Sequence, residues 1–359
     1  MIKTAITDIK TGTYSATPVY SKTGQLILSA HTLLTSQQIS RLEFYGIEWV
    51  DVEEPSEHPD SQQQEEPVSY AQKVRMSEEF QSFKVDYNEK SRYLESSFDD
   101  LVNQNIPVED HALIDQVSSL YANSLTSLSV FDMLHNMRQI DDTTFAHSIN
   151  VALIGRMLGE WLQLSKEDLD VLTIAGLLHD IGKCTIDPNI LLKPSSLTPK
   201  EYEEVKKHAA NGAELLAGQD LDPRIKDAAL MHHERCDGSG YPSGLKNEEI
   251  SDFAKIIAIA DVYDAMTSKR PYRKGHCAFE VIATFEKNGL EKFDIEYIIT
   301  FMTRILDTYM GNTVQLSDGS TGVVIMNNKI HYSRPLIRLN TGECLDLVKR
   351  PDLYIEAII

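Results

Sequence analysis

A histidine and an aspartate stand side by side at the end of an apolar stretch, Ala175-Gly176-Leu177-Leu178-His179-Asp180-Ile181-Gly182-Lys183. Val171, Ala175 and Leu178 recur at the spacing of a buried helix face, and Gly182 supplies a C-terminal stop followed by a cation, Lys183. A carboxylate delivered among leucines is costly unless it is paired, hydrogen-bonded or bound to a metal. Asp180 therefore needs a partner. One His-Asp pair is commonplace and decides little unless similar residues recur elsewhere in the chain.

The pattern does recur. His147 shares a helical stripe with Val151, Ile154 and Leu158, which turns its imidazole toward a core. Thr198-Pro199-Lys200-Glu201 joins a capping box to a proline at the first helical position, and the helix it starts carries His208 on one face with Val205, Gly212 and Leu215. His232-His233 close a helix containing Ile225, Ala228 and Ala229, just before Asp237-Gly238-Ser239-Gly240-Tyr241-Pro242. Neighbouring helix positions point about 100° apart, so both rings reach one site only if the helix ends there or the site spans two metals. Ile257, Asp261 and Asp264 share a face, placing two carboxylates in apolar surroundings. A single buried histidine is ordinarily a hydrogen-bonded core residue, and Asp264 is as well explained by a salt bridge to Arg270 or Arg273. Taken together, five imidazoles and two or three carboxylates exceed the needs of one zinc ion. They suit a two-metal site of mixed nitrogen and oxygen ligation, with iron or manganese the best fit. Paired metals about 3.5 to 4 Å apart are a recognised arrangement for phosphodiester hydrolysis.

Composition limits what such a site can serve. The 359 residues suffice for two or three domains, and 42% apolar with 25% charged residues is ordinary for a globular chain. Cys184, Cys236, Cys277 and Cys344 form no CxxC pair, which argues for reduced thiols and against a zinc ribbon or disulfide framework. A net charge of -20 disfavours duplex nucleic acid and anionic membrane as partners. An anionic ligand then needs a local source of positive charge, and Lys269, Arg270, Arg273 and Lys274 form a basic run just after Asp264. No segment reads as a membrane span, and the polar, Thr-rich Met1 to Tyr20 predicts no secretory leader, making cytoplasm the default.

Four regions follow from the patterning. Residues 1–53 read as a small α/β module: extended Pro18 to Tyr20 and Leu26 to Leu28 flank a turn at Lys22-Thr23-Gly24, a helix starts at Ser36 capped by Thr35, and Ile47 to Val52 is strand-like. No chemistry is visible there, so it is a packing appendage or a regulatory docking module. Residues 54–106 are an acidic linker and a helical connector, and residues 107–312 are helical. In residues 313–359, short strands separated by Asp318-Gly319, Asn327-Asn328 and Asn340-Thr341-Gly342 turns predict a small β barrel or sheet.

Five motifs carry a resemblance: His147-Ser148-Ile149-Asn150, His179-Asp180-Ile181-Gly182-Lys183, Leu197-Thr198 through His208, His232-His233-Glu234 with Asp237 to Pro242, and Asp261-Val262-Tyr263-Asp264-Ala265. Across roughly residues 107 to 310 the chain resembles the HD-GYP family of metal-dependent phosphohydrolases. The resemblance implies a mainly α fold, an HD-type helical bundle carrying a dinuclear metal site. It implies His147, His179, Asp180, His208, His232, His233 and Asp261 as metal ligands, Asp180 bridging two divalent ions. It also implies that Lys183 meets the scissile phosphate and helps protonate the leaving group. On the substrate side residue chemistry adds Tyr241, whose ring can stack on guanine or whose hydroxyl can hydrogen-bond, together with Asp264, Arg270, Arg273 and Lys274. The implied substrate is cyclic di-GMP, opened to linear pGpG, with GMP left open as a further product. A cyclic-dinucleotide sensor of weak turnover and a phosphodiesterase for hybrid cyclic GMP-AMP are the alternatives, and homodimerisation is left open. Members with a third metal place a Glu four residues before the first His. Here that position is Thr143, which predicts two metals.

Overall fold

The computed structural model of the chain describes residues 2–20, 26–28, 30–34, 38–39, 42–43, 45–53, 74–104, 106–107, 110–124, 130–137, 144–268 and 275–359. The expected turn at Lys22-Thr23-Gly24, the helix start at Thr35 and Ser36, most of the acidic linker, Thr143 and the basic run 269–274 lie outside these residues. The described chain forms two compact units. One comprises the helices of residues 78–124 and 130–304, and the other gathers the N-terminal residues up to 77 with the C-terminal residues from 305.

In the helical unit the elements are α1 (Glu78–Gln104), α2 (Asp110–Ser124), α3 (Val130–Met137), α4 (Thr144–Trp161), α5 (Lys166–Leu178), α6 (Pro199–Lys206), α7 (His208–Ala217), α8 (Pro223–Met231), α9 (Asp252–Thr267), α10 (Ala278–Asn288) and α11 (Ile295–Thr308), the last running on past residue 304. Their starts follow local chemistry. Ser165 accepts the Asp168 amide at the head of α5, with Glu167 and Asp168 favourably placed in the first turn. The reciprocal Thr198–Glu201 capping box opens α6 with Pro199 behind it, and Asp222 caps α8 ahead of Pro223. Helix α9 is apolar nearly all round, with Phe253, Ile256, Ile257, Ile259, Ala260 and Tyr263 all buried, so it forms the centre of the unit. Against it Phe131, Tyr263 and Phe301 interlock edge to face, with ring centroids 5.8 Å apart for Phe131 and Tyr263 and 5.1 Å for Tyr263 and Phe301. Helix α1, read from sequence as a connector, packs into the same unit. The Tyr87 hydroxyl, buried on α1, lies 2.8 Å from the Ala146 carbonyl, to which it donates, and 2.7 Å from Asn150 Oδ1, both on α4.

Helices α4 and α5 approach closely because Gly176 faces Ala152: a methyl group on Gly176 would overlap the Ala152 backbone. That approach brings the rings of His147 and His179 to a centroid separation of 5.3 Å.

The other unit holds two β structures. In its N-terminal part β1 (Ile2–Ala5) pairs antiparallel with β6 (Trp49–Val52), β2 (Thr13–Tyr14) with β5 (Leu33–Leu34), and β3 (Val19–Tyr20) with β4 (Leu26–Leu28). Ile6, Ile27, Leu28, Leu34, Leu42 and Val50 form its core. In its C-terminal part β7 (Thr313–Leu316), β8 (Thr321–Met326), β9 (Leu336–Leu339), β10 (Cys344–Asp346) and β11 (Ile355–Ile358) make an antiparallel sheet in the order β10-β9-β8-β7-β11. Of the two expected forms, barrel or sheet, the structure has the open sheet. Its edge strands β10 and β11 do not pair with each other; β10 is only three residues long and passes directly into a 3-10 turn. No helix among the described residues is long and apolar enough to cross a membrane.

Candidate metal centre

Three helix ends build most of the site. Helix α5 ends at Leu178, so His179 and Asp180 fall on its end and the 3-10 turn Ile181–Thr185 follows, rather than the helix running on to Gly182. The capping-box helix likewise does not carry through His208. It stops at Lys206, and α7 begins at His208 after a tight turn in which the Lys207 amide donates to the Glu204 carbonyl. The 3-10 turn is wedged against the head of α7 backbone to backbone: a methyl on Gly182 would overlap the His208 carbonyl oxygen and the Gly212 amide. Helix α8 ends at Met231, which frees His232 and His233 from the 100° spacing of a regular helix and lets both turn inward. Asp261 and Asp264 come from α9, and His147 from the first turn of α4.

Each fully buried ring is oriented by its own backbone. His179 Nδ1 lies 2.7 Å from the Gly176 carbonyl and His208 Nδ1 lies 2.7 Å from the Val205 carbonyl. His232 Nδ1 lies 3.1 and 3.0 Å from the carbonyls of Ala228 and Ala229. A carbonyl oxygen can only accept, so these rings carry their proton on Nδ1 and present an Nε2 lone pair to the interior. His147 Nδ1 instead faces the Asp264 carboxylate at 2.7 Å, the carboxylate–histidine pairing that raises ligand basicity.

The lone pairs converge on Asp180, whose side chain is 1% exposed. Its Oδ1 lies 3.3 Å from His208 Nε2 and 3.6 Å from His232 Nε2, and its Oδ2 lies 3.3 Å from His179 Nε2 and 3.6 Å from His147 Nε2. His208 Nε2 and His232 Nε2 are themselves 3.3 Å apart. Asp180 Oδ1 and His179 Nε2 have no hydrogen-bond partner among the described residues. Acceptors facing one another without a donor are costly in a buried site. A cation resolves the cost, and the donor set therefore fits metal ions. Two overlapping groups offer ligand atoms within 4.8 Å of one another: His147, His179 and Asp180 in one, and Asp180, His208, His232 and His233 in the other. Asp261 sits between them, Oδ1 3.2 Å from His147 Nε2 and Oδ2 4.0 Å from His233 Nδ1.

The protonation balance agrees. Burial raises the cost of charge at Asp180, yet Lys183 and His179 hold it well below the usual carboxylate range. Burial opposes a charged His147, but Asp261 and Asp264 outweigh it and hold its proton up to about 9. Burial pushes His232 down to about 4, and His233 is lowered by burial and by His232.

The expected substrate residues separate. Lys183 Nζ pairs with Asp180 Oδ2. Tyr241 stacks on His233, ring centroids 4.6 Å apart and 24° between planes, so one face of the ring expected to meet guanine is already covered. Asp264, expected to meet substrate, is buried with its Oδ2 turned to His147 Nδ1, and Ser268 Oγ donates to the same oxygen at 3.4 Å. Arg270, Arg273 and Lys274 lie outside the described residues.

Glu234, quoted in the His232-His233-Glu234 motif but given no role by sequence, is buried and accepts the Ser243 amide at 2.7 Å and the Leu245 amide at 3.0 Å. It ties the Tyr241 loop to the histidine pair, a role that no spacing rule reveals. Glu234→Ala should destabilise the protein by about 2 kcal/mol, the scale of hydrogen bonds to a charged group. It should also strip the Ser243 and Leu245 amides of protection in hydrogen exchange, and protection equal to wild type would remove Glu234 from this role.

A helical unit whose helix ends aim histidines and aspartates at one buried point defines an HD domain, and residues 123–297 match the HD domain family model. The chain belongs to the HD-GYP family of such domains. It is 36% identical over 232 residues to a cyclic di-GMP phosphodiesterase of Pseudomonas aeruginosa, covering 63% of this chain and 54% of that protein. It is 37% identical over 145 residues to a 3'3'-cGAMP-specific phosphodiesterase of Vibrio cholerae, covering 40% of this chain and 32% of that one. The chain thus spans about half, or less, of the length of these relatives. Among solved structures, an HDG"Y"P protein from Bdellovibrio bacteriovorus shares the fold, with a TM-score of 0.50 at 15% identity over 85% of this chain and 99% of that one.

Proposed function

We propose that the chain is a metal-dependent phosphodiesterase that hydrolyses cyclic di-GMP to pGpG, in the cytoplasm, at a dinuclear centre. The observation that carries this reading is the sharing of Asp180 by two donor groups, with its Oδ1 left unpaired in a buried site. In the proposal His147, His179 and Asp180 hold one ion, Asp180, His208, His232 and His233 hold the other, and Asp261 completes the set. Mixed imidazole and carboxylate ligation suits iron or manganese. Two such ions would supply Lewis acidity at the scissile phosphate and at the attacking water.

The chain's own residues do the rest. Asp264 fixes His147 by holding its Nδ1 proton. Lys183, beside Asp180 with its side chain 25% exposed, reaches from the buried centre toward solvent and is assigned the proton for the leaving oxygen. Glu234 holds the Tyr241 loop over His233. Two ions rather than three follow from Thr143, which offers neither the charge nor the reach of a Glu.

Similarity to the 3'3'-cGAMP-specific enzyme favours the hybrid cyclic dinucleotide as the second reading. Protein of defined metal content, incubated with each dinucleotide and its products separated, decides between them. Linear pGpG is the expected product. Metal-loaded protein that opens neither ring would overturn the proposal and favour a sensor.

A further inference from the structure

Beside the proposed centre, α6 presents Tyr202 and Lys206 one turn apart. Lys206 Nζ lies 5.0 Å from the Tyr202 ring centroid and 5.5 Å from that of Tyr241. Tyr241 in turn stacks on His233 at 4.6 Å, so an unbroken row of rings leads from the histidine cluster to the Lys206 ammonium. The neighbouring Lys207 shows what a solvated lysine looks like here: its side chain is 59% exposed and paired with Glu204. Lys206 is 29% exposed, its stem drawn in among the rings. Its carboxylate partner is Glu203, with Nζ 2.7 Å from Oε1, and that side chain is 67% exposed. An exposed pair three residues apart on a helix is weak, and an incoming anion can replace it.

A cyclic dinucleotide carries two phosphodiesters on opposite sides of one ring. While one is cleaved, the other keeps its full charge and must rest somewhere on a chain of net charge -20. We propose that Lys206, held over Tyr202 and Tyr241, receives this second phosphate and so selects a cyclic dinucleotide over a simple diester. The inference rests on the phosphodiesterase reading above and is independent of the basic run 269–274. Binding exchanges the Glu203 carboxylate for a phosphate oxygen on the same ammonium, with no bond made or broken.

The test compares cyclic di-GMP with bis(p-nitrophenyl) phosphate, a diester with a single phosphate, on metal-loaded protein. Lys206→Ala should raise KM for cyclic di-GMP about tenfold, the loss of one charge-assisted hydrogen bond. The effect should lie in KM more than in kcat, and kcat/KM for the dinucleotide relative to the simple diester should fall by a similar factor. Lys206→Arg should restore most of the ratio, and Glu203→Gln, which removes the competing carboxylate, should lower KM for the dinucleotide. Equal losses on both diesters, or an unchanged ratio, would overturn the assignment of Lys206 while leaving the phosphodiesterase reading intact. Wild-type protein that cleaves the simple diester but neither binds nor cleaves the dinucleotide would overturn both.

Discussion

Asp180→Ala should leave a protein that folds, binds no pair of metal ions, and hydrolyses cyclic di-GMP at least a thousandfold more slowly, the loss of about 4 kcal/mol of transition-state stabilisation. The reason is geometric. Asp180 is the one residue common to both donor groups, His208 and His232 facing one of its oxygens and His147 and His179 the other. Removing any single histidine takes one ligand from one group, whereas removing Asp180 takes one from each. Elemental analysis of the purified variant, alongside circular dichroism, checks the expectation. Two metals per chain in the folded variant would sink the ligand assignment and the dinuclear reading with it.

Lys183→Ala should do the opposite to the metals and nearly the same to the rate. Lys183 touches Asp180 but is a cation and cannot ligate another cation, so metal content should match wild type. If its ammonium protonates or neutralises the leaving oxygen, its loss should lower kcat by about 100-fold to 1000-fold, the range of a positioned acid or charge donor. KM should move less, because the interaction is made chiefly in the transition state. A variant with normal turnover would take Lys183 out of the mechanism. A variant that loses metal as well would recast it as a residue that sets the position of Asp180.

Much of this site is legible in the sequence. The stripe of His147, Val151, Ile154 and Leu158 is inward as its period requires, with all three apolar members buried. The Thr198–Glu201 capping box opens its helix as written. What the sequence did not disclose were events set by tertiary contact. The end of α6 at Lys206 has no glycine or proline to announce it, and His208 reads as part of one continuous helix. The break occurs where the Ile181–Thr185 turn presses its backbone on the head of α7, which only the folded chain brings together. Asp264 shares the Asp261 face correctly, but periodicity cannot tell a carboxylate that meets substrate from one that holds a ligand histidine. Glu234 was invisible for a similar reason: its partners are backbone amides nine and eleven residues away, which leave no trace in side-chain pattern. The Asp318-Gly319, Asn327-Asn328 and Asn340-Thr341-Gly342 turns fall between C-terminal strands as their residues predict, but β11 carries no such signal, and closure depends on which edges meet: β11 pairs with β7 and not with β10.

The carbonyls that orient the three buried rings have a further electrical meaning. Gly176, Val205 and the Ala228–Ala229 pair all belong to the last turns of their helices, α5, α6 and α8. Those turns hold the negative poles of the helix dipoles, each equivalent to about half an electron charge. Three helices therefore point their electron-rich ends at the same place, and each passes that polarity through an imidazole N–H to the lone pair on the far side of the ring. The main chain, neutral in any count of side-chain charges, behaves here as an additional anionic ligand shared among three histidines. A carboxylate-poor cluster can in this way draw a divalent cation more strongly than its formal charge suggests, and any insertion that rotated one of these helix ends away would weaken the site without touching a single ligand.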